Sequence, residues 1–120
     1  IVQPQKKIVI DSLLNAIANA DNDKKLLDAK VALTVEYTEI DFQMAFDLAA
    51  ESNELAYRLG DTAHIVTTGR LKGQLLRRLD NLKGAIKELR KVEPIALRNA
   101  LDDDYKKILN ALTICCRTTG

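Results

Sequence analysis

Tryptophan does not occur in this chain, aromatic residues make up only 4% of it, and five glycines and two prolines are spread over 120 residues. So few turn formers exclude a sandwich or barrel, in which a turn signal is needed about every 8–12 residues. Any core must instead be built from Leu, Ile, Val and Ala, and hydrophobic residues at 47% suffice for one. A single histidine, His64, excludes the usual multi-histidine metal sites and most acid–base dyads. The only two cysteines, Cys115 and Cys116, are neighbours and cannot staple distant parts of a fold. They read as one buried and one partly exposed helix residue, with a vicinal or intermolecular disulfide as the alternative. No run approaches the roughly 18 apolar residues of a membrane span, so no membrane role is expected. Neither an initiator methionine nor a signal-peptide layout opens the chain. A processed chain is therefore expected, through secretion or trimming, with its compartment open.

Apolar residues recur at helical spacing throughout, and four helical segments follow from period and stop signals: about 5–20, 23–59, 62–92 and 94–117. The second has no internal Gly or Pro. Its stripe of Leu26, Leu33, Tyr37, Met44, Leu48, Leu55 and Leu59 suits one long straight helix of about 55 Å. Gly60-Asp61 is the sharpest punctuation. The third segment carries a heptad seam of Leu75, Leu79, Leu82, Ile86 and Leu89. Pro94 fits the first turn of the fourth. No internal repeat or linker is evident, so one domain is expected. The fold class predicted is all-α: an elongated, antiparallel, up-down-up-down four-helix bundle around a central hairpin of segments two and three.

Charge is balanced overall, at +1, yet divided along the chain. Residues 1–60 carry net −4 and residues 61–98 net +5. The stretch 67–91 holds eight Lys or Arg against Asp80 and Glu88 alone. Phosphate neutralisation would be compatible with that charge. Base readout or stacking would need amides and aromatics on the same face, and only Gln74 and Asn81 lie near it. Nucleic acid is therefore ranked below a protein partner. Candidate contact residues are Arg70, Arg77, Arg78, Lys83, Lys87 and Arg90 on the basic side. Glu36, Glu39, Asp47 and Glu54 form the acidic side. Gly69, Gly73 and Gly84 interrupt the basic segment, and Gly73 and Gly84 are expected on its outer face. Small residues there suit close approach by a second copy or partner, so a homodimer is possible.

Catalytic constellations are thin. His64 sits in a first helical turn beside Asp61, where capping or exposure explains it. Asp102, Asp103 and Asp104 point in different directions on a helix and cannot jointly hold a cation. Ser12 has no base at a convincing offset, and GRLKG has neither the ending nor the context of a phosphate loop. No metal or cofactor is expected. The reading is a non-catalytic, protein-binding bundle that contacts a macromolecule through charged helix faces. Its alternative is a small carrier of an apolar ligand, held between segments two and four and lined by Tyr37, Phe42, Met44 and Phe46. Nucleic-acid binding through the basic segment is a second alternative.

Overall fold

Six helices form in the computed structural model, which describes residues 3–119. They are α1 (Pro4–Ala18), α2 (Asp23–Tyr37), α3 (Phe42–Leu59), α4 (Thr62–Arg78), α5 (Leu82–Arg98) and α6 (Asp102–Thr119). The chain is all-α, and the expectation of four helices is corrected: each of the three long segments breaks once. Consecutive helices join through turns of two to four residues and pack side by side, so direction alternates. The body measures 43 × 35 × 20 Å, shorter than the roughly 55 Å that an unbroken second segment would span.

The breaks share one chemistry. Asn22, Asp41, Asp61 and Asn81 are N-caps whose side-chain oxygens accept from the backbone N–H three residues on, at 2.9–3.2 Å. Each satisfies a donor that the first turn would otherwise orphan. Gly60, Asp80 and Ala100 stand 20 residues apart, and all three adopt left-handed backbone, at φ 63°, 62° and 53°. Behind each, two crossed hydrogen bonds close the preceding helix: Gly60 N to Tyr57 O with Asp61 N to Ala56 O, Asp80 N to Arg77 O with Asn81 N to Leu76 O, and Ala100 N to Leu97 O with Leu101 N to Ala96 O. The chain thus has a structural period of 20 residues over its last three turns. It escapes detection in the sequence because only the first instance uses glycine.

Pro94 does not start a helix; α5 runs through it. The proline has no N–H for the Arg90 carbonyl, but both residues lie on the exposed side of α5, where water can take that acceptor. Across the helix, Ala85, Leu89, Val92 and Ala96 are buried and hold it in place.

Of the two segments expected to form the central hairpin, the third supplies the central element: α4 packs against α3, α5 and α6. One core cluster joins Val66 of α4 to Leu89 and Val92 of α5 and to Ile108, Ala111 and Cys115 of α6. A second joins Leu27, Leu55, Ala56 and Ile65, and a third Ala45, Ala49, Leu71 and Leu75. Gly69 and Gly73 are buried where α4 meets α5, contrary to the outer-face expectation for Gly73. A Cβ on Gly69 would stand 2.5 Å from Val92 Cγ1. The close approach that small residues permit is therefore made within the chain. The seam assumed through Leu79 and Leu82 crosses a turn, and both are only partly buried. At the N-terminal edge, α1 buries only Ile10, while Ile8 is 68% exposed.

Candidate functional site

The outward side of α5 carries Lys83, Lys87, Arg90, Lys91 and Arg98, all exposed. At 100° per residue these five fall within an arc of about 100°, opposite Ala85, Leu89, Val92 and Ala96. Burial of the aliphatic face thus dictates where the cations go. Pro94 and Leu97 share the exposed side, and Leu97 is 61% exposed. Beside it runs an open groove of about 650 Å³ between α5 and α6, lined by Arg90, Leu109, Leu112, Thr113, Cys116 and Arg117, with Glu93 the one acid among the described residues. No aromatic lines it.

α3 shows the opposite sign. Asp47, Glu51 and Glu54 are exposed within an arc of about 60°, and Glu51 meets Lys30 of α2 at 3.2 Å. The expected single acidic strip is divided, however. Glu36 is half-buried near the end of α2 and Glu39 lies in the turn that follows; both pair with Lys6 of α1, at 3.4 and 2.8 Å. The hydrogen bond from Lys6 holds the Glu39 carboxyl below its usual range, and the same bond raises Lys6 against the effect of burial.

The basic residues of α4 do not join the α5 stripe. Arg70 turns inward: its Nε donates to Asp104 Oδ1 at 2.8 Å and one terminal nitrogen to Gln74 Oε1 at 3.0 Å. Thr67 donates to the other oxygen of Asp104 at 3.1 Å. Asp104 thereby ties α6 to α4, while Asp102 and Asp103 remain exposed in the first turn. Arg77 is partly buried, and Arg78 sits over the Phe42 ring at 5.2 Å. Lys72, also in the basic run, meets Glu88 of α5 at 3.6 Å. Of the six basic candidates, Lys83, Lys87 and Arg90 share one surface; Arg70, Arg77 and Arg78 do not belong to it. Lys91 lay in the basic run without being singled out, and Arg98 was missed because the expected break at Pro94 hid the continuity of α5.

His64 is capped as expected, but its ring is also clasped. Nδ1 lies 2.7 Å from Asp61 Oδ2, and Nε2 lies 3.1 Å from Asp28 Oδ1 on α2. Burial works against charge on Asp61, yet the hydrogen bonds from His64 and the charges of His64 and Lys24 hold its carboxyl below the usual range. Each ring nitrogen faces a carboxylate, so the group links α2 to the α3–α4 turn. Among the described residues no three His, Cys, Asp or Glu side chains group as metal ligands.

Tyr37, Phe42 and Phe46 pack on the third core cluster, and Met44 is exposed. Tyr37, Phe42 and Phe46 therefore extend the core. An open groove of about 490 Å³ lies between α1 and α2, with Leu13, Ala16, Ala29 and Ala32 as its apolar lining and Asn19, Asp21, Lys25 and Asp28 as its polar lining. Cys115 is buried and Cys116 exposed; burial pushes the Cys115 thiol up, against the opposing charge of Arg77. Among the described residues no helix is long and apolar enough to cross a membrane. The chain matches no family model, no curated protein and no solved structure.

Proposed function

We propose that this protein is a non-catalytic binding module that takes an acidic, amphipathic protein segment along α5 and the α5–α6 groove. The observation that carries the reading is the combination of five exposed cations with exposed Leu97 on the side of α5 that borders a groove floored by Leu109 and Leu112. A helix with acids on one flank and aliphatic residues on the other would match both features: apolar anchors enter the groove and charge sets orientation and encounter rate. Phosphate backbones would use the cations but not Leu97, and no aromatic is placed in the groove to stack a base. The acidic stripe of α3 disfavours an extended phosphate chain further.

Fluorescence anisotropy tests the partner class. A labelled peptide of alternating Glu and Leu turns should bind with a shallow salt dependence, since burial of its Leu side chains persists when charges are screened. Mixed-sequence duplex and single strands should bind no tighter than about 10 μM at physiological salt, the level of a non-specific basic patch. Submicromolar nucleic-acid binding that collapses with salt would overturn the reading.

A further inference from the structure

A separate cavity of about 200 Å³ lies between the C-terminal parts of α2 and α4. Val35, Leu71 and Leu75 give it apolar walls, and Gln74, Arg77, Arg78 and Thr38 supply the polar lining. Among the described residues its only charged lining groups are the two guanidiniums. Among the described residues neither is paired with a carboxylate: Arg78 lies over the Phe42 ring, and Arg77 Nε is buried with no hydrogen-bond partner. A buried guanidinium donor left unmatched is costly, and nearly all such groups in proteins find an acceptor.

The neighbouring side chains prepare the same polarity. Arginine can only donate, so the Arg70 contact fixes Gln74 with its oxygen engaged and its amide NH₂ as the remaining group. Arg70 is itself held by Asp104. Thr38 spends its hydroxyl proton on the Val35 carbonyl at 2.6 Å, so the free donors come from α4. The cations at the end of α4 also offset the partial negative charge of its last carbonyls, but that role gives the Arg77 Nε–H no acceptor.

We infer that this cavity binds a small oxyanion, a phosphate or carboxylate group, held by the Arg77 guanidinium and the Gln74 amide with Arg78 at its wall. Guanidinium presents paired donors in the plane that such groups match, and the apolar walls strengthen the contact by excluding water. The inference stands apart from the α5 surface and does not depend on it.

The test is a ¹⁵N-resolved titration of the arginine Nε–Hε signals with inorganic phosphate in one arm and acetate in the other, at constant ionic strength. The Arg77 signal, assigned by its loss in Arg77→Lys, should move along a saturating curve in at least one arm, while exposed Arg58 and Arg98 stay still. The arm that saturates first identifies the preferred oxyanion. Gln74→Ala, which leaves every charge in place, should weaken binding about tenfold, the worth of one charge-assisted hydrogen bond. A linear drift shared by Arg77, Arg58 and Arg98, no movement of Arg77, or unchanged affinity in Gln74→Ala would overturn the inference.

Discussion

Gly73 on α4 faces Leu89 on α5 so closely that a Cβ added to the glycine would stand 2.6 Å from Leu89 Cγ and 3.3 Å from the Ala85 carbonyl oxygen. Leu89 is fully buried and cannot swing away, and the Ala85 contact is backbone. Helix propensity alone would make Gly73→Ala favourable by about 1 kcal/mol. Overpacking at a closed interface opposes it by about 1–3 kcal/mol. The expected result in urea melts is a net loss of up to about 2 kcal/mol; a gain would mean that α4 and α5 stand further apart.

The left-handed turn residues give a second expectation with a definite sign. Ala100 holds φ 53° although it has a Cβ, whereas Gly60 holds φ 63° without one. Left-handed backbone strains an L-residue by about 1–2 kcal/mol, and glycine returns part of that gain as extra freedom when unfolded. Ala100→Gly should therefore stabilise by about 0.5–1 kcal/mol, and Gly60→Ala should destabilise by a similar amount. Thermal melts of the two variants should move in opposite directions.

Half of the reading was legible because its signals are local. Helical period, the cap at Asp61 and the glycine at position 60 all sit within a few residues of the feature they specify. The breaks at residues 38–41, 79–81 and 99–101 escaped because their left-handed positions are filled by Asp80 and Ala100, or need none, and because apolar stripes cross them in register. The candidate site suffered from the same errors. Lys83, Lys87 and Arg90 share an exposed face that local spacing predicts. Arg70 left the surface for Asp104, 34 residues away, and Glu39 reached Lys6 at a separation of 33. Only the packing of α6 on α4 and of α1 on α2 brings those pairs together. Likewise nothing near His64 announces Asp28.

Acid should loosen the contact between α2 and the α3–α4 turn. The Asp61 carboxyl is held below its ordinary value of 3.8 in the folded chain. A depressed carboxyl stabilises the fold above its unfolded value, and that contribution fades as pH falls through the folded one. Asp61→Asn keeps a competent cap and removes the charge. The wild-type chain should be the more stable at neutral pH, and the difference should shrink as pH drops below 3.8. A difference that is constant across acid denaturation would place the stabilisation in the cap alone.

The proposed binding of an acidic segment on the α5 face is tested most directly by a comparison of two charge reversals. Lys87→Glu with Arg90→Glu alters α5, whereas Lys106→Glu with Lys107→Glu changes net charge equally on exposed positions of α6. Affinity for the same labelled Glu-Leu peptide would be read by anisotropy at physiological salt. The α5 pair should lose at least about tenfold, because contact with the bound segment turns repulsive, and the α6 pair only about twofold through long-range charge. Equal losses in the two variants would mean that overall charge, and not the α5 surface, governs binding.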